Sequence, residues 1–173
     1  MRAGILAVLV CALSLAATGP AAASEFISLY GGYAWNDLQA TGAGDGTVYG
    51  VRWGAENPAI GVQASLDFNR NNSVKMDSLV FSGLFNFVSR DRRLRSGQMI
   101  FNSFSSYVTL GLGATRYSQP ESNASLLFTW EIGLGLQVKF NRVFGLRFEA
   151  LALSITPKSA RNAELTGGIA FYW

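Results

Sequence analysis

The chain has 173 residues, with 14 basic and 11 acidic side chains, one cysteine and no histidine. This length fits a single domain, and the near balance of charge argues against a nucleic-acid partner. The lone Cys11 excludes an intramolecular disulfide, and the absence of histidine removes the usual general base of serine hydrolases.

The first 23 residues have the features of a secretory signal peptide. Arg2 precedes an apolar run over residues 5–17, and Ala21 and Ala23 supply the small-x-small pattern of a signal peptidase site. The run is too short for a membrane-spanning helix, which needs roughly 20 residues. We therefore predict export, cleavage after Ala23 and a mature domain over residues 24–173.

The mature domain is predicted to form eight β-strands separated by turn residues. Apolar and polar residues alternate with a period of two, which places them on opposite faces of a strand. The alternation is clearest in LFTWEIGLGLQVKF and weaker in the first and fourth segments, where Tyr30, Val80 and Leu84 fall on the polar side. The predicted strands cover residues 25–35, 46–55, 59–69, 74–88, 100–116, 125–140, 143–155 and 163–173.

The composition of the two strand faces distinguishes a membrane barrel from a soluble one. The apolar faces carry large uncharged residues, whereas the polar faces mix a few charges with serine and glycine, including Gly111, Gly113, Gly133, Gly135 and Gly168. Small residues suit a narrow lumen, and an apolar outer face suits lipid. We predict an all-β fold, an eight-stranded antiparallel up-and-down transmembrane β-barrel. A soluble lipocalin-like barrel with the apolar face inside is the alternative.

Aromatic residues are predicted to form two girdles at the membrane interfaces. If the N-terminus lies in the periplasm, one group falls at the periplasmic ends of the strands and another at the outer ends, as bilayer interfaces favour. The periplasmic group is Trp53, Phe85, Phe87, Phe140, Phe144, Phe171 and Trp173, and the outer group is Tyr33, Trp35, Phe68, Phe128 and Trp130.

The opening SLYGGYAW, the alternating strands and the closing LTGGIAFYW resemble the small outer-membrane barrels of Gram-negative bacteria. These include the OmpA-type transmembrane domain, OmpX and the opacity-protein group. The resemblance implies an integral protein of the outer membrane. It also implies that Phe171 and Trp173 form a C-terminal signal for the barrel assembly machinery, in which a final Phe is commoner than Trp.

The resemblance also includes barrel enzymes that act on lipid A, a palmitoyltransferase and a deacylase, which resemble histidine-dependent hydrolases. With no histidine in the chain, this mechanism is not available, although an acidic base remains conceivable. The G-x-G runs at Gly111–Gly113 and Gly133–Gly135 precede no helix, so we predict no nucleotide or other cofactor. The sequence predicts no catalytic residue and no metal site.

Seven charged residues on the polar faces are predicted to lie in the lumen. They are Arg52, Asp67, Glu131, Lys139, Arg147, Glu149 and Glu164. An ion pathway would require that these charges are not paired with one another. Eight strands, however, leave barely enough room in the lumen for side chains, and buried charges need partners of opposite sign. The favoured interpretation is a plug of paired charges.

Two further groups of basic residues lie near the predicted strand ends. Arg70, Lys75, Arg116, Lys158 and Arg161 lie near the outer rim, where they could pair with lipopolysaccharide phosphates or be solvated. The stretch SRDRRLRSGQ, residues 89–98 and including Arg90–Arg95, either contacts inner-leaflet headgroups or peptidoglycan, or is the solvated end of two long strands. The second reading is preferred.

These features predict a non-catalytic outer-membrane barrel with a largely plugged lumen and a structural or surface-interaction role. Its partners would be outer-membrane lipids, lipopolysaccharide and, during biogenesis, the assembly machinery. The alternatives are a small-solute porin or channel, an adhesin, and, least favoured, a lipid A-modifying enzyme.

Overall fold

The computed structural model describes residues 24–37, 44–71, 74–91, 103–119, 124–156 and 160–173. The predicted signal peptide lies outside these residues, as do Lys158 and residues 92–98 of the basic stretch.

The described residues form eight strands. They are β1 (Ser24–Trp35), β2 (Gly46–Glu56), β3 (Ile60–Arg70), β4 (Lys75–Asp91), β5 (Ser103–Ser118), β6 (Ser125–Lys139), β7 (Phe144–Thr156) and β8 (Ala160–Tyr172). No strand end differs from its predicted position by more than three residues. The period-two pattern therefore located each strand.

The strands close into a single barrel in chain order, each antiparallel to its neighbours, and β8 pairs back onto β1. The prediction of an eight-stranded antiparallel up-and-down barrel is confirmed. Closure gives every strand of the described residues two neighbouring strands. Within the described residues, no helix has the length and apolar character needed to cross a membrane.

Three tight connections between strands are each organised by an asparagine. The side-chain oxygen of Asn57 accepts hydrogen bonds from the amides of Ala59 and Ile60 at 2.8 and 2.9 Å. Asn141 does the same for Phe144 at 2.7 Å, and Asn71 for Val74 at 2.7 Å. Asparagine favours such turns because its side chain replaces a backbone acceptor.

The apolar faces point outward and the polar faces inward. Leu134 is 60% exposed on the outside, whereas Glu131 and Arg147 are 2% and 1% exposed on the inside. Tyr30, Val80 and Leu84, which interrupted the sequence pattern, also point inward and are buried. The lumen therefore holds apolar as well as polar side chains.

Strand β4 extends beyond its neighbour β3 at the end of the barrel where β1 begins and β8 ends, which we call the terminal end. The pairing of β3 with β4 ends at Ile60 and Phe85, whereas β4 continues to pair with β5 as far as Asp91 and Ser103. A register shift between Asn86 and Val88 interrupts this extension. The extension agrees with the interpretation of residues 89–91 as the end of a long strand.

Candidate functional site

The centre of the lumen is an ionic cluster built on Glu149. Its Oε2 lies 3.0 Å from Nη1 of Arg52, and its Oε1 lies 3.4 Å from Nη2 of Arg147. The hydroxyl of Tyr107 also donates a hydrogen bond to Oε1. One carboxylate on β7 thus holds two buried arginines, one from β2 and one from its own strand.

Aromatic rings complete the environment of the two arginines. The guanidinium of Arg147 lies 4.2 Å from the ring centre of Phe26 and donates hydrogen bonds to Tyr107 and Gln63 at 2.9 and 3.2 Å. The guanidinium of Arg52 lies 3.7 Å from the ring centre of Tyr30. Stacking on rings compensates part of the hydration that a buried guanidinium loses.

The interior aromatic rings fit because glycines face them on the neighbouring strands. Tyr107 is paired with Gly135, and a Cβ atom at Gly135 would overlap the tyrosine ring. Tyr30 faces Gly50 on one side and Gly168 on the other. The lumen glycines of the sequence pattern therefore make room for specific large side chains.

Three other carboxylates lie in the lumen without an ion pair. Asp67 accepts a hydrogen bond from Ser65 at 3.2 Å, and Glu131 accepts one from Ser82 at 2.6 Å. Glu164 is hydrogen-bonded to Asn69. In the part of the chain that the structure describes, all three have neutral partners, and no cluster of three or more His, Cys, Asp or Glu is placed to hold a metal ion.

A second ion pair lies at the end of the lumen where β1 begins and β8 ends. Nζ of Lys139 is 2.9 Å from Oε1 of Glu56, which also accepts a hydrogen bond from Gln137 at 2.6 Å. The Lys139 ammonium lies 4.1 Å from the ring centre of Tyr172. This pair is more solvent-accessible than the central cluster, with the Lys139 side chain 21% exposed.

Apolar clusters lie on both sides of the central ionic cluster along the barrel axis. On the terminal side, Phe26, Leu84, Tyr107, Ala170 and Tyr172 form one buried cluster. At the opposite mouth, Val74, Met76, Tyr117 and Ile155 form another, with Leu127 packed against it.

Asparagines occupy another part of that mouth. The amide nitrogen of Asn69 donates to Asn36 at 3.1 Å, and the side chains of Asn36 and Asn71 both donate to the carbonyl of Gly44. Asn162 accepts a hydrogen bond from the backbone of Asp37 at 3.0 Å. These bonds tie β1, β2, β3 and β8 together above the carboxylates.

The structure places all seven charged residues of the predicted lumen set inside the barrel. It brings together Arg52, Arg147 and Glu149, pairs Lys139 with the unpredicted Glu56, and leaves Asp67, Glu131 and Glu164 with neutral partners. Sequence reasoning also missed Tyr107 and Gln63. Tyr107 lies an even number of residues from Gly111, and Glu56 lies an even number of residues from Arg52. The period-two pattern therefore placed both Tyr107 and Glu56 on the lumen face.

The aromatic residues of the two predicted girdles all point outward. At the terminal end Phe144 stacks on Phe140 and contacts Phe171, with ring centres 5.5 and 6.1 Å apart. Toward the other end Tyr33 contacts Trp35 at 5.1 Å. Sequence reasoning left out Tyr49, whose ring lies 5.7 Å from that of Phe68.

The final tryptophan takes part in closing the barrel. Its backbone exchanges hydrogen bonds with Glu25 at 3.1 and 3.2 Å, and its indole nitrogen donates to the Glu25 carboxylate at 3.0 Å. A phenylalanine at this position would lack the indole donor. Trp173 is therefore attached to β1 by its side chain as well as by its backbone.

Comparison with solved structures identifies barrels of the same architecture. The N-terminal β-barrel domain of OprF from Pseudomonas aeruginosa matches with a TM-score of 0.64 at 15% identity, over 87% of this chain and 97% of that chain. Neisserial surface protein A matches with a TM-score of 0.64 at 13% identity, over the same shares. The chain has the fold of the small eight-stranded outer-membrane barrels.

The outer membrane enzyme PagL also matches, at 14% identity over 84% of this chain and 97% of that chain, with a TM-score of 0.49. No protein-family model matches the sequence, and the comparison with curated proteins finds no significant match.

Proposed function

We propose that the protein is a non-catalytic β-barrel of the Gram-negative outer membrane, with a closed lumen and a structural or surface-interaction role. The observation that carries this proposal is the ionic cluster of Arg52, Glu149 and Arg147, buried between two apolar layers. A plug of this kind stiffens a barrel and blocks its axis.

The outward surface supports a position in a bilayer. Large apolar side chains such as Leu29, Leu112 and Leu134 are more than half exposed, and they lie on the strands between the two aromatic girdles. A soluble barrel would expose an apolar surface of this size to water, which promotes aggregation. In a bilayer the same surface meets acyl chains, and the girdles meet headgroups.

The burial of the charged lumen residues favours a closed barrel rather than an open pore. The side chains of Arg52, Arg147 and Glu149 are at most 2% exposed. A water-filled channel leaves its charged lining accessible, as a selectivity lining requires. The two arginines instead contact Glu149 and aromatic rings.

The lumen also argues against an enzyme that acts on lipid. Among the described residues, the shortest hydrogen bond between a serine and a carboxylate joins Ser82 to Glu131 at 2.6 Å, and these residues are 4% and 2% exposed inside the barrel. An activated serine would have to reach a lipid substrate on the outer surface, and this pair points away from it. The chain also has no histidine to act as general base.

Refolding and conductance test the proposal together. Residues 24–173 should refold from urea into detergent or lipid vesicles and migrate as a heat-modifiable band in electrophoresis. In planar bilayers the refolded protein should give little or no steady current. A water-soluble monomer in the absence of detergent would contradict the membrane assignment, and large stable openings would contradict the closed lumen.

A further inference from the structure

The outward surface carries a compact basic cluster at the end opposite the termini, which we call the rim patch. It consists of Arg70, Lys75, Asp77 and Arg116. Arg70 pairs with Lys75 across β3 and β4, and Asp77 pairs with Arg116 across β4 and β5. Three cations and one carboxylate give the patch a net positive charge.

The rim patch is bounded on both sides by uncharged residues. Thr47 is the partner of Arg70 on β2, and Leu126 is the partner of Arg116 on β6. Among the described outward-facing strand side chains, the other charged residues are Glu25, at the terminal end, and Arg161, on β8. The patch therefore spans three adjacent strands, a width of about 10 Å at the usual interstrand spacing.

Arg70 is held in place, whereas the other two cations are open to a ligand. Nη1 of Arg70 lies 2.6 Å from Asp77 and donates to the carbonyls of Asn69 and Met76 at 3.1 and 3.4 Å. Lys75 and Arg116 are exposed, and within the described residues neither forms an ion pair. The patch thus presents two uncompensated cations beside one fixed guanidinium.

The position of the patch matches the headgroup depth of a bilayer. The Arg70 guanidinium lies 5.4 Å from the ring centre of Phe68, a residue of the outer girdle, and Leu79 and Leu112 are exposed on the same strands closer to the middle. A ligand that binds here has its charge beside the cations and its apolar part along these side chains. Free phosphate would use only the first of these two surfaces.

We propose that the rim patch binds the phosphate groups of lipid A, the phosphorylated glycolipid of the outer leaflet. Arginine and lysine donate charge-assisted hydrogen bonds to phosphate oxygens, and the apolar band below accommodates acyl chains. The proposal rests on the proposed function, because it requires that this end of the barrel faces outward in the outer membrane.

Binding of purified lipid A to the detergent-refolded protein, counted by native mass spectrometry across a concentration series, tests the rim patch. Lys75→Gln and Arg116→Gln should each weaken binding about tenfold, the loss expected for one charge-assisted contact. Asp77→Asn removes the anion of the patch and should strengthen binding. Arg161→Gln, at the same rim, and Arg142→Gln, at the terminal end, are matched controls that should change binding less than twofold.

Two comparisons separate the possible sources of the phosphate. Lipid A that lacks one phosphate should bind more weakly than the bisphosphorylated form, and phosphatidylglycerol should bind no better than a neutral phospholipid. Equal losses in the patch variants and the two controls would overturn the proposal, as would equal binding of phosphatidylglycerol. Failure of the wild-type chain to refold in detergent would contradict the proposed function instead, and the heat-modifiable band of each variant verifies its fold before binding is measured.

Discussion

Glu149 is the residue on which the ionic cluster of the lumen depends. It compensates two guanidinium groups at once and also accepts the hydroxyl hydrogen bond of Tyr107. Water does not reach this position, so neither arginine has a solvent alternative. The cost of burying three charges is offset only while all three remain together.

Replacement of Glu149 by glutamine should therefore destabilise the barrel strongly. The change keeps the side-chain shape but removes the ion-pair partner of two buried guanidinium groups, which costs about 3–5 kcal/mol. Urea unfolding of the protein in lipid vesicles measures this loss. Asp77→Asn, which breaks a partly exposed pair, should cost under about 1 kcal/mol, and equal losses in the two variants would contradict the central role of Glu149.

At Gly135, the addition of a single methyl group would disturb the packing of the lumen. A Cβ atom there would overlap the Tyr107 ring, which is held in turn by Glu149 and Arg147. We expect Gly135→Ala to lower the free energy of unfolding by about 1–3 kcal/mol, the usual cost of overpacking. In the matched control Gly31→Ala, the new atom meets only the Val48 carbonyl at 3.8 Å, and the change should be nearly neutral.

At the scale of the strand, β6 shows most directly how the two faces differ. Ile132, Leu134 and Leu136 point outward, whereas Glu131, Gly133 and Gly135 are buried inside. A shift by one residue would exchange these faces. The face that meets lipid should therefore respond to a charge according to its depth in the bilayer.

Leu134→Arg tests whether the outward face of β6 contacts the hydrocarbon core of the bilayer. Leu134 lies in the middle of the strand, so an arginine there should cost about 2–4 kcal/mol of barrel stability in vesicles. Leu126→Arg, at the outer end of the same strand, should cost at most about 1 kcal/mol, because the side chain reaches the interface. Equal stability of Leu134→Arg and wild type would show that this face does not contact the hydrocarbon core.

The last two residues at the end of β8 allow effects on folding to be distinguished from effects on assembly in the cell. Tyr172 points into the lumen, where it packs near Phe26 and Lys139, whereas Trp173 lies outside and bonds to Glu25. Removal of Tyr172 would thus open the terminal side of the lumen. Deletion of Trp173 alone leaves the lumen cluster intact.

A chain that lacks Trp173 should refold in detergent with only a modest loss of stability. In cells we expect it to accumulate unassembled in the periplasm and to be degraded, because Phe171 and Trp173 form the predicted assembly signal and Tyr172, which would then end the chain, points into the lumen. Fractionation and immunoblotting measure this difference. Normal outer-membrane amounts of the truncated chain would show that Trp173 has only a role in closing the barrel, and Trp173→Phe should restore assembly.

At the scale of the whole molecule, the barrel is a stack of layers along its axis. An apolar layer lies near the termini, the ionic cluster and carboxylates lie in the middle, and a second apolar layer lies at the opposite mouth. Each layer uses side chains from several strands, and the layer near the terminal end includes β1 and β5, which lie on opposite sides of the lumen. Opening the axis therefore requires the loss of contacts in several layers.

Arg147→Ala should increase ion leakage in planar bilayers, because it removes a side chain that contacts Phe26, Tyr107, Gln63 and Glu149. Glu131→Ala should have a smaller effect, since Glu131 contacts Ser82 rather than an arginine. Single-channel recording compares both with the wild-type chain. A larger current from Glu131→Ala than from Arg147→Ala would show that the cluster around Glu149 is not the main barrier.

The sequence by itself determined the number of strands, their approximate ends and the inward face of the seven charged residues of the predicted lumen set. This is because alternation is a local property: Glu131 and Trp130 face opposite sides of β6 whatever the rest of the chain does. The same pattern placed the aromatic residues of the two predicted girdles on the outward face of their strands.

The tertiary structure alone decided which lumen residues meet. Arg52 and Glu149 belong to strands that are not adjacent, and their contact depends on the diameter, tilt and stagger of the closed barrel. The same geometry left Glu131 with Ser82 and gave Lys139 the partner Glu56. Period-two alternation carries no information about distances across the lumen, because it describes one strand at a time.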